Sequence, residues 1–378
     1  MIVNRPPMGW NSWNTFGENI NENMIKEMAD AMVDGGYLDA GYEYLVIDDC
    51  WSELHRDEKG RLVPSKEKFP NGMKVVADYV HSKGLKFGMY SCVGFLTCAG
   101  YPGSFDHEFQ DAKTFAEWGV DFLKYDFCYR AITVKQKMLY RRMGLALEGC
   151  GRDILFSACS WGRDDTEKWI QSTGASMWRK TGDITDRWGT FHYLADKVME
   201  NTTSCSRGCF GDLDMLTVGM KGKGNVGQDG MTFNEYKMHF TLWAQMNSPL
   251  MIGCDLREPD EETRKILLNK EVIAINQDPL TAMPYNLEYY GGWNPEGVKI
   301  YVKHLSGGDL AIGIYNFSQE EAPCIVALDL VGLPPSTGKT LRIKELWTGT
   351  EKTVTNGVLR TPVGAHDCKL YRCKVIDI

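Results

Sequence analysis

Long hydrophobic runs are missing from this sequence. No apolar stretch approaches the roughly 18 residues of a membrane-spanning helix, so no membrane partner is expected. No basic run occurs either, and the formal net charge is −8, which argues against nucleic acid or an anionic surface as partner. The opening residues, Met1 to Pro7, contain no apolar signal core. Taken as the native start, they predict a cytoplasmic protein. Histidines number only seven, and Cys205 and Cys209 have no matching second pair, so neither a zinc site nor any other metal is expected. A phosphate loop, a dinucleotide fingerprint and a Ser–His pairing are all lacking, so no cofactor is expected.

What remains is a chain of 378 residues, too long for one ordinary core. Its apolar fraction of 43% and charged fraction of 24% are those of a globular protein. The twelve cysteines are spread too thinly for a small disulfide scaffold and read mostly as buried thiols. Eleven tryptophans and seventeen tyrosines fit either an aromatic-rich core or a surface for stacking sugar rings; composition leaves both open.

Short apolar runs alternate with amphipathic helices over the first 280 residues. Runs at 7–10, 44–47, 85–90, 121–126, 154–157, 176–179, 212–216 and 249–253 read as strands. Helices are expected after Asn21, and at 73–82, 106–118, 134–148, 166–172, 193–200, 234–247 and 261–268. Eight such units match a (β/α)8 TIM barrel of parallel strands, placed at 1–280. Beyond Pro279 helical periodicity disappears. Runs at 298–304, 310–315, 323–330, 341–346 and 370–375 predict a C-terminal antiparallel β-sandwich domain, 291–378, with the boundary at 280–290.

In a parallel barrel the C-terminal strand ends build the active site. Here those ends are acidic and aromatic: Trp13, Asp48, Asp49, Trp51, Tyr90, Lys124, Asp126, Trp161, Arg179, Asp183 and Asp214. Any one aspartate after a strand is more often a helix cap than a catalyst. Lys124 and Asp126 point to one face of their strand. By themselves they are either a buried salt bridge or half of an active site. Asp48 and Asp49 lack the His and Glu that would complete a metal site. As a set, the rim suits sugar hydroxyls, and glycosidic cleavage needs two carboxyl groups, one of them protonated.

Several long segments carry a family resemblance: Met8–Trp13, Ile47–Trp51, Thr97–Ser104, Lys124–Cys128, Trp178–Ile184 and Ala274–Leu280. In this order they resemble glycoside hydrolase family 27, the α-galactosidases and α-N-acetylgalactosaminidases, across nearly the whole barrel. The resemblance implies a retaining exo-enzyme for terminal α-galactosides, with Asp126 as nucleophile and Asp183 as acid/base. An α-N-acetylgalactosaminidase is the alternative, and a β-L-arabinopyranosidase ranks below it. It further implies Asp48 and Asp49 as acceptors from O4 and O6, Lys124, Arg179 and Asp214 as ring contacts, and Trp13 and Tyr90 as pocket walls. Cys159, Ser160 and Trp161 are expected to contact substrate, and Cys98 to pair with Cys128 beside the site. Lys124 and Arg179 are expected to keep Asp126 ionised.

The chain also departs from the family pattern. Phe127, Cys92 and Arg163 are unusual at their positions, the 210–215 segment is altered, and the 219–230 loop looks long enough for a lid or an oligomer contact. Ser160 stands where many α-galactosidases place Glu and followed by Arg163 it predicts a pocket intermediate between the two specificities. A carbohydrate is the expected partner, and a homo-oligomer is left open.

Overall fold

The computed structural model describes residues 3–200, 207–287 and 294–378. Eight parallel strands run β1 (Met8–Asn11), β2 (Tyr44–Val46), β3 (Lys86–Cys92), β4 (Phe122–Asp126), β5 (Leu155–Ala158), β6 (Met177–Arg179), β7 (Phe210–Asp212) and β8 (Leu250–Ile252). Their order in the sheet is β8-β1-β2-β3-β4-β5-β6-β7, and a bridge from Leu216 to Ile252 closes the ring. Nearly every barrel-strand residue is buried, because helices cover the outside and side chains fill the inside.

Helices sit where the periodicity places them, with caps that explain their starts. Helix α1 (Glu22–Asp34) begins where the Asn21 side chain accepts from the Met24 amide. Helix α2 (Met73–Ser82) packs on β3, and α3 (Glu108–Trp118) ends at Gly119 in the left-handed region. Then come α4 (Gln136–Glu148), α5 (Trp188–Glu200), α6 (Phe233–Gln245), α7 (Glu261–Leu267) and α8 (Lys270–Asn276). A reciprocal Thr232–Glu235 capping box starts α6.

Four readings are corrected. The helix expected at 166–172 is two 3₁₀ turns, Thr166–Lys168 and Ile170–Thr173, because left-handed Asp164 and Asp165 precede them and Trp169 (φ −135°) separates them. Helix α5 starts five residues before Tyr193, at Trp188. The seventh strand is Phe210–Asp212 rather than 212–216, because Asp214 turns left-handed at φ +83° and ends the extended run. Helix α8, which runs into the motif at 274–280, went unread.

The C-terminal sheet runs β9-β10-β11-β16-β13-β14: β9 (Tyr285–Asn286), β10 (Val298–His304), β11 (Leu310–Asn316), β13 (Lys339–Glu345), β14 (Glu351–Thr353) and β16 (Asp367–Asp377). A second antiparallel pair, β12 (Ala322–Ala327) with β15 (Val358–Val363), packs over it through an apolar cluster. Strand β9 lies upstream of residue 291, so this sheet begins inside the segment read as a boundary. The sheet is fastened to the barrel through α6: Gln245 Nε2 donates to the carbonyls of Tyr301 and Ala311, and Tyr315 donates to Gln245 Oε1 at 2.7 Å.

Candidate active site

Parallel pairing puts the polar strand ends at one mouth of the barrel. In the ladder Tyr90 sits beside Lys124, and Cys92 beside Asp126. The Asp126 carboxylate is 7% exposed. It accepts from Tyr90 Oη at 3.0 Å and from the Phe127 amide at 2.8 Å. Burial raises its pKa, and the charge of Lys124 opposes that rise. The Lys124 ammonium itself lies 2.7 Å from Asp48 Oδ2, which also accepts from Asn11 Nδ2 at 2.7 Å. Burial disfavours the Lys124 charge, but the groups around it, Asp48 foremost with Cys159 and Asp126, together outweigh burial and raise its pKa.

On the facing side Arg179 binds two carboxylates through one nitrogen, Asp183 at 2.5 Å and Asp214 at 2.8 Å. Their surroundings differ sharply. The Asp183 side chain is 75% exposed, whereas that of Asp214 is 5% exposed. Arg179 draws the Asp183 pKa down, an attraction that water partly screens. Burial pushes Asp214 up to about 6. Asp214 also accepts from the Ile184 amide at 2.6 Å and the Met215 amide at 2.7 Å, which fixes its left-handed backbone.

Asp49 accepts from the Ala99 amide at 3.0 Å and from the Cys50 amide at 2.7 Å, and burial raises its pKa. The loop carrying Ala99 is held by a Cys98–Cys128 disulfide. Loop and strand end press together so closely that a Cβ on Gly94 would come within 2.0 Å of the Cys128 carbonyl oxygen. The Cys98 and Cys128 sulfurs and the Asp126 carboxylate lie within 4.8 Å of one another, but both sulfurs are spent on the disulfide.

These groups enclose a cavity of about 240 Å³. Trp13, Asp48, Asp49, Tyr90, Cys98, Lys124, Asp126, Cys159, Arg179, Asp183 and Asp214 all line it. A larger cavity of about 850 Å³ opens at the starts of β5 and β6, the end of a barrel that serves stability rather than chemistry.

Family models decide the relationship. The model described as alpha galactosidase A matches residues 5–278, and the one described as alpha galactosidase C-terminal beta sandwich domain matches 295–373. The chain belongs to the melibiase family of α-galactosidases. It is 44% identical to an alpha-galactosidase of Coffea arabica, covering 97% of this chain and 93% of that one. It is 43% identical to alpha-galactosidase 3 of Arabidopsis thaliana, covering 98% and 82%. It superposes on the crystal structure of alpha-galactosidase I from Mortierella vinacea with a TM-score of 0.90 at 31% identity, covering 98% and 97%.

Within this melibiase fold two expected contacts do not reach the cavity. Ser160 is fully buried, and its hydroxyl donates to the Arg179 carbonyl at 3.2 Å. Trp161 is half-buried and turned onto Phe127, with Arg163 laid over its ring. Neither Ser160 nor Arg163, from which a pocket of intermediate specificity was expected, lines the cavity. Arg179, expected beside Asp126, is engaged with Asp183 and Asp214 instead.

Sequence reading missed Asn14, Ile184, Thr185, Met215 and Val226 in the cavity wall. Asn14 was within reach of notice, one residue past a quoted motif. Val226 was not, since it arrives on the 219–230 loop. That loop lies across the first strand end: the Asn225 and Val226 amides donate to the carbonyls of Thr15 and Asn14. Asp186 anchors it by accepting from the Gly222 amide at 2.7 Å. Through Val226 it contributes to the wall of the site.

Proposed function

We propose that this α-galactosidase releases terminal α-linked galactose by double displacement, with Asp126 as nucleophile and Asp183 as acid/base. One observation carries the reading. The cavity is a recess of single-ring scale, below the roughly 300–1,000 Å³ of larger ligand sites, with a buried carboxylate inside and an exposed one at its mouth. A sugar that fills it can be attached to the rest of the substrate only on the open side, which makes cleavage exo.

Asp126, held by Tyr90 and the Phe127 amide, attacks the anomeric carbon. Asp183 protonates the departing oxygen and later deprotonates the incoming water. Its exposed carboxyl is ionised in the empty site because of Arg179. Substrate that covers Asp183 removes water, and Asp126 adds a negative neighbour; both favour the protonated acid that the first step needs. Asp48, Asp49, Lys124 and Asp214 hold the ring hydroxyls, and Trp13 and Tyr90 pack against the ring. The buried Asn14 Nδ2, which has no partner among the described residues, is a further donor for a hydroxyl.

Rates on aryl α-galactoside, aryl α-N-acetylgalactosaminide and aryl β-L-arabinopyranoside test the assignment. The first is expected to dominate, with α-galactose as the first-formed anomer. Preference for either other substrate, or initial release of β-galactose, overturns it.

A further inference from the structure

Two of the residues that depart from the family pattern, Phe127 and Arg163, meet at the rim of the site through Trp161. The Arg163 guanidinium lies 5.1 Å from the Trp161 ring centroid. Trp161 meets Phe127 edge-on at 5.9 Å, and the Arg130 guanidinium covers Phe127 at 4.5 Å. The result is a row of two aromatic rings with a guanidinium on each. Among the described residues, neither guanidinium has a carboxylate or a hydrogen-bond acceptor as partner. The two cations inside the cavity, Lys124 and Arg179, are both ion-paired.

The position of this row matters. Phe127 directly follows Asp126, and Trp161 and Arg163 sit on the loop after β5. That loop is bound to the end of β6, where the Gly162 amide donates to the Arg179 carbonyl at 2.9 Å. The contact is tight enough that a Cβ on Gly162 would come within 2.1 Å of the Lys180 carbonyl oxygen. The row thus stands between the strand end that carries Asp126 and the segment that carries Asp183. If Asp183 protonates the leaving oxygen, whatever is attached to that oxygen passes beside this row.

A guanidinium held over an aromatic ring has already lost much of its side-chain freedom, and both of these N–H forks are without an acceptor among the described residues. Such a fork matches a carboxylate in a bidentate way. From this, and resting on the proposed function, we infer that Arg163 and Arg130 form a leaving-group subsite for α-galactosides whose aglycone carries a carboxylate. The cavity, lined by five aspartates, takes the neutral galactose; the rim takes the anion.

The test compares 3-carboxyphenyl α-galactoside with its carboxamide counterpart, in the wild-type chain and in Arg163→Ala, Arg130→Ala and Arg163→Lys. Each alanine variant is expected to lower the acid-to-amide ratio of kcat/KM by about 3–10-fold through KM, with amide hydrolysis held to within about twofold. Arg163→Lys, which keeps the charge and loses the fork, is expected to fall between. Added salt is expected to erode the acid preference of the wild type. An acid-to-amide ratio that none of the variants changes overturns the subsite, as does equal loss on both substrates. Failure of the wild type to hydrolyse even the carboxamide overturns the α-galactosidase reading itself.

Discussion

Lys124 Nζ lies 2.7 Å from Asp48 Oδ2, and both side chains are almost shut off from solvent. Lys124 therefore serves two carboxylates at once, Asp48 by direct contact and Asp126 by its field. Removing one member of a buried pair strands the other, at a cost of about 3–5 kcal/mol. Lys124→Met is expected to lose that much stability in denaturant unfolding. Adding Asp48→Asn should recover a substantial part of it, giving a non-additive double-mutant cycle. Additive losses would mean that the pair is not coupled.

Asp126→Asn separates chemistry from stability. The variant is expected to lose kcat by about 10³-fold or more, since no covalent intermediate can form. Its melting temperature at neutral pH should match or exceed that of the wild type. The folded pKa of Asp126 is raised, so its ionised form costs stability above that pKa, and the cost vanishes below the ordinary carboxylate range. The thermal advantage of the variant should shrink as pH falls through that window. A melting temperature well below wild type at neutral pH would contradict the burial argument.

The pH profile of kcat, which reports the substrate-bound enzyme in which covered Asp183 holds its proton, should show both carboxylates. The acid limb belongs to Asp126 and is expected above the usual carboxylate value, because burial disfavours its charge. The basic limb belongs to Asp183, whose proton Arg179 disfavours. Arg179→Met is therefore expected to move the basic limb to higher pH while lowering overall activity. A shift to lower pH would show that Arg179 does not act on Asp183.

The disulfide ties the loop that holds Asp49 to the strand end that holds Asp126. Its cysteines are 30 residues apart in sequence, for which chain entropy gives about 3–4 kcal/mol of stabilisation. Cys98→Ser with Cys128→Ser is expected to lose about this much on unfolding. It should also raise KM more than it lowers kcat, because the Ala99 amide no longer fixes Asp49. Unchanged KM would separate the disulfide from substrate binding.

Much of this was legible in the chain because barrel strands announce themselves. Tyr44–Val46 is a continuous apolar run with acids two and three residues beyond it, and Phe122–Asp126 is apolar but for Lys124 and ends in an acid; such ends can face only one mouth. Phe210–Asp212 was misplaced by two residues because three residues carry little pattern, and the turn at Asp214 depends on amide partners distant in sequence. Sequence order gave Lys124 and Asp126 one face of a strand but could not show that Asp48, on another strand, takes the lysine. Ser160 stands at a position that matters in relatives, yet its hydroxyl turns to the Arg179 carbonyl, an orientation no one-dimensional pattern encodes. Val226 enters the wall on a glycine-rich loop whose path is set by backbone bonds to Asn14 and Thr15.

The division of labour between Asp126 and Asp183 is tested most directly by azide rescue of two variants with an activated aryl α-galactoside. Asp126→Gly leaves the nucleophile's side of the ring open, so azide attacks there and the product is β-galactosyl azide. Asp183→Ala still forms the glycosyl-enzyme, which azide then opens from the other side to give α-galactosyl azide. Both products, each from its own variant, are the predicted result; exchanged anomers, or rescue of neither variant, would contradict the assignment.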